Sequence, residues 1–169
     1  MSEQGTQSTL RPACSPAPSS PDKRLRLQDY LPYRLSVAAN AVSQLIARAY
    51  EDRFDLKIPQ WRLIAVLAEE SPLTPQELCE RTLMDKVTVT RAAQGLLKRR
   101  LLKRQPHATD GRSHRLVLSS AGERLYSQIA PLALKYEVRL LDGLDPRDID
   151  RLETQLRQLE RAAEELRSR

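Results

Sequence analysis

Glycine, cysteine and histidine are all scarce: among 169 residues there are five glycines, two cysteines and two histidines. The glycines are not clustered, so there is no glycine-rich phosphate loop, and neither a nucleophile elbow nor a Cys-His arrangement is present. An enzyme is not expected, and no cofactor is implied. Cys14 and Cys79 are too few and too far apart for a disulfide framework or a zinc knuckle. His107, His114 and Asp110 supply at most three ligands on a turn, so no metal site is expected. No apolar run approaches the roughly 18 residues that cross a bilayer. The first residues also lack the charged-then-apolar order of a signal peptide. A reduced, cytoplasmic setting away from membranes is therefore expected.

What the chain has in excess is positive charge. The net charge is +6 and the sequence pI is 9.6, a balance that favours a polyanionic partner. The charge is unevenly spread. Between residues 81 and 115 lie Arg81, Lys86, Arg91, Lys98, Arg99, Arg100, Lys103, Arg104, Arg112 and Arg115, against only Asp85 and Asp110. The length suits one domain, or one domain with an appended module.

Residues 1–26 are rich in Ser, Pro and Gln and nearly devoid of apolar side chains, which predicts a disordered tail. Leu35, Ala38, Val42, Leu45, Ile46 and Ala49 then recur at helical spacing, predicting a first helix that ends near Phe54. Ile58, Trp61, Ile64 and Leu67 mark a second helix, with Pro59 acceptable in its first turn. Thr74-Pro75-Gln76-Glu77 is a capping-box start for a short third helix reaching about Arg81. Asp85 is a suitable N-cap for a fourth, Lys86 to about Arg99.

Two β-type runs follow, Leu101–Pro106 and His114–Leu118, around the Asp110-Gly111 turn. Ser119 or Ser120 caps a long fifth helix that Pro131 should kink rather than end. Asp145-Pro146 opens the last helix, whose Ile149, Leu152, Leu156, Leu159, Ala163 and Leu166 form a narrow heptad seam suited to packing on another helix. The expected fold is mainly α with a small β-wing. Its parts are a dimerisation helix at 27–56, a winged helix-turn-helix at 57–118 and dimerisation helices at 119–169.

In the fourth helix, Val89, Ala92, Ala93 and Leu96 fall in one stripe. Val87, Arg91, Gln94 and Lys98 fall opposite, with Thr88 and Thr90 on the shoulders. Arg91, Gln94 and the Thr hydroxyls suit base edges, and Val87 suits a thymine methyl. Lys86 sits at the helix start, where free amides favour a phosphate. β-Branched residues and Gly95 lower helix propensity on this helix, which suggests selection for contact.

The stretch DGRSHRLVLSSAG, residues 110–122, resembles the wing signature of the MarR family of winged-helix regulators, with Asp110, Arg112, Ser113, Arg115, Leu118, Ser119 and Gly122 fitting. DKVTVTRAAQGLLKRRLL resembles that family's recognition helix, and IPQWRLIAVLAE its second helix. The resemblance covers residues 30 to about 166. It implies a homodimer built on the first, fifth and sixth helices, with Leu35, Ile149, Leu152, Leu156, Leu159 and Leu166 in the interface. It further implies that Arg112 enters the minor groove and that Asp110 holds the wing arginines in place. Arg115 would serve phosphates or pair with that Asp, and Lys98, Arg99 and Lys103 would contact phosphates. One departure stands out: Arg100 occupies the place where the family usually has a C-capping Gly, so strain or an overrunning helix is expected there.

The resemblance also implies a small-molecule effector, an aromatic acid or its CoA thioester. Tyr30, Tyr33 and Arg34 on the first helix, with Trp61 and Arg62 on the second, are the candidates to bind it. An alternative is that Trp61 is core and Arg62 part of a surface salt bridge. The expected function is a sequence-specific double-stranded DNA-binding regulator, a repressor released from a pseudo-palindromic operator by its ligand. The alternatives are a winged-helix protein-interaction module and a ligand-independent or redox-sensing regulator.

Overall fold

The computed structural model describes residues 24–48, 50–106 and 114–168. After a 3-10 turn at Leu27–Asp29 come α1 (Leu31–Ala47), α2 (Glu51–Phe54), α3 (Ile58–Glu69), α4 (Pro75–Thr82), α5 (Lys86–Lys98), β1 (Leu102–Pro106), β2 (His114–Leu118), α6 (Ser120–Leu141) and α7 (Pro146–Arg167). The described residues up to Val37 form one unit and those from Ala38 a second. In the first, Tyr30, Leu31, Tyr33 and Val37 are exposed.

The second unit is built on a core of Leu63, Ile64 and Leu67 of α3, Leu78 of α4, and Val89, Ala92, Ala93 and Leu96 of α5. Leu102, Leu116 and Ile129 close it from the strands and α6. The stripe predicted for the fourth helix supplies all four buried residues of α5. Polar caps fix the helix starts. Thr74 Oγ1 accepts from the Glu77 amide at 3.2 Å while Glu77 Oε2 accepts from the Thr74 amide at 2.6 Å, closing the expected capping box. Ser119, rather than Ser120, caps α6 by accepting from the Gly122 amide.

Some boundaries differ from expectation. The first helix stops at Ala47, and the short α2 follows, because buried Tyr50 anchors the chain and Asp55 turns left-handed at φ 50°. β1 begins at Leu102 rather than Leu101, since the Leu101 amide is held by the Leu96 carbonyl at 2.9 Å. The two strands pair antiparallel with Leu102 opposite Leu118 and Pro106 opposite His114. Leu73 adds an isolated bridge to β2 that the sequence did not announce, exchanging both backbone hydrogen bonds with Leu116. α6 continues through Pro131. α7 has no buried residue, and its Leu152, Leu156, Leu159 and Leu166 lie exposed. The predicted tail through residue 23, with Cys14, and the wing tip 107–113 lie outside the described residues. None of the described helices is long and apolar enough to cross a membrane.

Candidate nucleic-acid interface

α4 and α5 are joined by a turn in which Leu83 is left-handed, at φ 52°, and exposed. Asp85 then caps α5. Its carboxylate accepts from the Thr88 amide at 2.9 Å and from the Thr88 hydroxyl at 2.6 Å. These bonds, the hydroxyl first, hold the Asp85 carboxyl below its usual range. Thr90 donates its hydroxyl to the Lys86 carbonyl at 2.7 Å. Both predicted base-reading hydroxyls therefore spend their protons inside the helix and keep only acceptor lone pairs for a partner. Lys86, Val87, Arg91, Gln94 and Lys98 are exposed, and Val87 shows 57% of its surface to solvent.

Gly95 has a different explanation from the one its propensity suggested. A Cβ there would lie 2.7 Å from the Gln60 Nε2, so the missing side chain accommodates α3 rather than an outside partner.

The end of α5 is a Schellman motif made without glycine. The Leu101 amide bonds the Leu96 carbonyl and the Arg100 amide the Leu97 carbonyl, both at 2.9 Å, with Arg100 left-handed at φ 58°. The expected strain sits on Arg100. Its neighbour Arg99 turns the other way: its guanidinium donates to the carbonyls of Asp55 and Phe54 at 2.5 and 2.8 Å, capping α2. Sequence reasoning placed Arg99 among the phosphate contacts; here its donors serve the fold.

On the wing, Lys103 and Arg104 of β1 are exposed. Arg115 of β2 faces inward enough for its Nη2 to lie 3.4 Å from Glu77 Oε1, while its buried Nε has no hydrogen-bond partner among the described residues. Glu77 is held below the usual carboxylate range, first by the Thr74 amide, then by the Thr74 hydroxyl, with Arg115 adding to both. Arg115 thus ties the wing strand to the capping box of α4, a contact that spacing gave no means of foreseeing. Asp110 and Arg112 lie outside the described residues.

The candidate effector residues fall into two groups. Tyr30, Tyr33 and Arg34 belong to the N-terminal unit and are exposed. Trp61 packs against the core, its ring 5.6 Å from that of Tyr50 and stacked 5.9 Å from Tyr126 at 17°. Burial, with the Glu51 charge adding, pushes the Tyr50 phenol up to about 12. Arg62 is exposed, with Nη2 3.4 Å from Ser43 Oγ. Tyr50 and Tyr126, which complete the aromatic cluster, carried no signal beyond their helical spacing.

Residues 54–113 match the family model described as MarR family. No curated protein matches the sequence. Among solved structures, a MarR/EmrR family regulator from Acinetobacter sp. ADP1 aligns at TM-score 0.76 with 23% identity, covering 83% of this chain and 99% of the other. A probable transcriptional regulator from Pseudomonas aeruginosa aligns at 0.71 with 27% identity, over 79% and 99%. Bordetella bronchiseptica BpsR, whose DNA binding is regulated by 6-hydroxynicotinic acid, aligns at 0.73 with 19% identity, over 82% and 98%. With its helix-turn-helix, two-stranded wing and long flanking helices, the chain shares the fold of these solved regulators, and its residues 54–113 are similar to the MarR family model.

Proposed function

We propose that the protein is a homodimeric, sequence-specific DNA-binding transcription regulator that releases a pseudo-palindromic operator when a small aromatic acid binds. The observation that carries this reading is the division of α5. One face is wholly buried, while the other offers Val87, Arg91, Gln94 and Lys98 to solvent beside the basic strand β1. An exposed helix face mixing an apolar group, an amide and cations is what major-groove readout uses. Lys98 and Lys103 are the phosphate contacts of this reading, Gln94 and Val87 the base contacts, and Arg112 the minor-groove contact. Arg99 is reassigned to holding α2. The exposed leucines of α7 supply the dimer seam, and two-fold symmetry sets half-sites about one helical turn apart. Release by an aromatic acid is carried over from the regulation of BpsR.

The test is a fluorescence-anisotropy titration of the full chain on its own upstream promoter DNA, with excess nonspecific competitor and a panel of aromatic acids and their CoA thioesters. Binding should survive competitor, weaken with rising salt, and be released by one compound. Arg112→Ala should weaken binding at least about tenfold without dissociating the dimer, in line with the roughly 1–3 kcal/mol that one good groove contact carries. Binding lost to competitor in the wild type would put the interaction-module reading first.

A further inference from the structure

Beside the recognition helix lies a cleft of about 350 Å³ lined by Lys57, Pro59, Gln60, Thr88, Arg91 and Ala92. Its walls are the start of α3 and the first two turns of α5, which approach closely because Gly95 leaves room for the Gln60 amide. Gln60 is held in place: its Oε1 accepts from the Lys57 amide at 3.0 Å, so its Nε2 protons remain to donate. No carboxylate lines the cleft. Among the described residues, neither Lys57 nor Arg91 has a carboxylate oxygen within 4.0 Å. Two exposed cations on one concave surface repel each other until an anion joins them.

We propose that this cleft is a seat for one DNA backbone phosphate, held between Lys57 and Arg91 with Gln60 as a further donor. The inference rests on the DNA-binding reading above and changes its division of labour. Arg91, which its helix position marks as a base reader, becomes a phosphate contact at the edge of the groove, and sequence is read by Gln94 and Val87. Lys57, at the N-terminal edge of the winged helix-turn-helix and unmarked by any motif, becomes part of the interface.

The experiment compares wild type, Lys57→Ala, Lys57→Arg and Arg91→Ala on the same promoter duplex across a salt series. It is repeated on duplexes carrying single base-pair changes, with circular dichroism melts to show that each variant is folded. One lost phosphate contact lowers the slope of log affinity against log salt by about 0.9. The affinity advantage of wild type over each Ala variant should therefore shrink about 3.5-fold between about 50 and about 200 mM salt. Lys57→Arg should restore the slope, and neither Ala variant should change the ranking among mutated duplexes. An unchanged slope for Lys57→Ala overturns the site, as does an Arg91→Ala variant that loses its preference at a single base pair. A wild type that does not discriminate its promoter from competitor overturns the DNA-binding reading itself, which is a different result.

Discussion

Gly122 is the position where a single methyl group should do the most damage. It is buried in the first turn of α6, and a Cβ built on it would sit 2.2 Å from the Leu101 carbonyl oxygen and 3.2 Å from Leu118 Cδ2. The first distance falls about 1.2 Å short of the 3.4 Å at which ordinary contact begins. Because the obstacle is backbone, relief requires moving the helix start or the chain entering β1. The junction is held by three hydrogen bonds: the Ser119 amide to the Leu101 carbonyl at 2.9 Å, the Ser119 hydroxyl to the Arg100 carbonyl at 2.7 Å, and the Gly122 amide to the Ser119 hydroxyl at 3.1 Å. At about 1 kcal/mol net for each bond and about 1–3 kcal/mol for overpacking, Gly122→Ala should destabilise by about 4–6 kcal/mol. That approaches the whole stability of many domains, about 5–15 kcal/mol. Urea unfolding followed by far-ultraviolet circular dichroism, at one protein concentration, measures it. Gly95→Ala is the matched comparison. Its Cβ meets only the end of the Gln60 side chain, and alanine gains about 1 kcal/mol of helix propensity, so its net effect should stay within about 1 kcal/mol. If Gly122→Ala also lost less than about 1 kcal/mol, the close approach of α6 to Leu101 would not be a real constraint.

Arg100→Gly should relieve a left-handed residue at φ 58° and stabilise by about 1 kcal/mol, raising the melting temperature by a few degrees; a lower melting temperature would mean the arginine side chain, not the backbone, dominates there. Glu77 has a folded pKa below its ordinary value of 4.5, so its contribution to stability is fully present above that value and is lost as pH falls through the folded pKa. The stability gap between wild type and Glu77→Gln should therefore be widest near neutrality and close progressively below about pH 4.5; a gap constant from pH 7 to pH 3 would remove the carboxylate from the capping box. Truncation before Asp145 removes the exposed leucine seam and should leave monomers or aggregates in light scattering, whereas a folded dimer would refute the role given to α7.

Helix existence and helix starts were legible because they rest on local chemistry. Thr74, Asp85, Ser119 and Asp145 all accept from backbone amides at the helix starts they mark in the sequence. The wing strands were legible as two short runs on either side of the Asp110-Gly111 turn signal. What the sequence withheld depends on distant partners. The break after Ala47 comes from burial of Tyr50 in a core assembled by other elements. The bridge between Leu73 and Leu116 joins residues that no short motif connects. Gly95 and Gly122 look alike as helix glycines, yet one meets the far end of a side chain and the other a backbone carbonyl.

The basic cluster at residues 98–104 shows the same division within one charge count. Composition treats Lys98, Arg99, Arg100, Lys103 and Arg104 as equal cations. The left-handed turn at Arg100 separates them. By ending the helix there, it starts β1 at Leu102 and leaves Lys103 and Arg104 on the exposed wing strand. Arg99, about 100° around the helix from Lys98, reaches back to the Asp55 and Phe54 carbonyls and steadies the segment leading into α3. The exposed cations are thus carried on a frame that two of the other arginines build. Neutralising Arg99 should lower stability, with DNA affinity falling as a consequence, whereas neutralising Lys98 or Lys103 should lower affinity and its salt slope at unchanged stability. That contrast separates charge that binds from charge that builds.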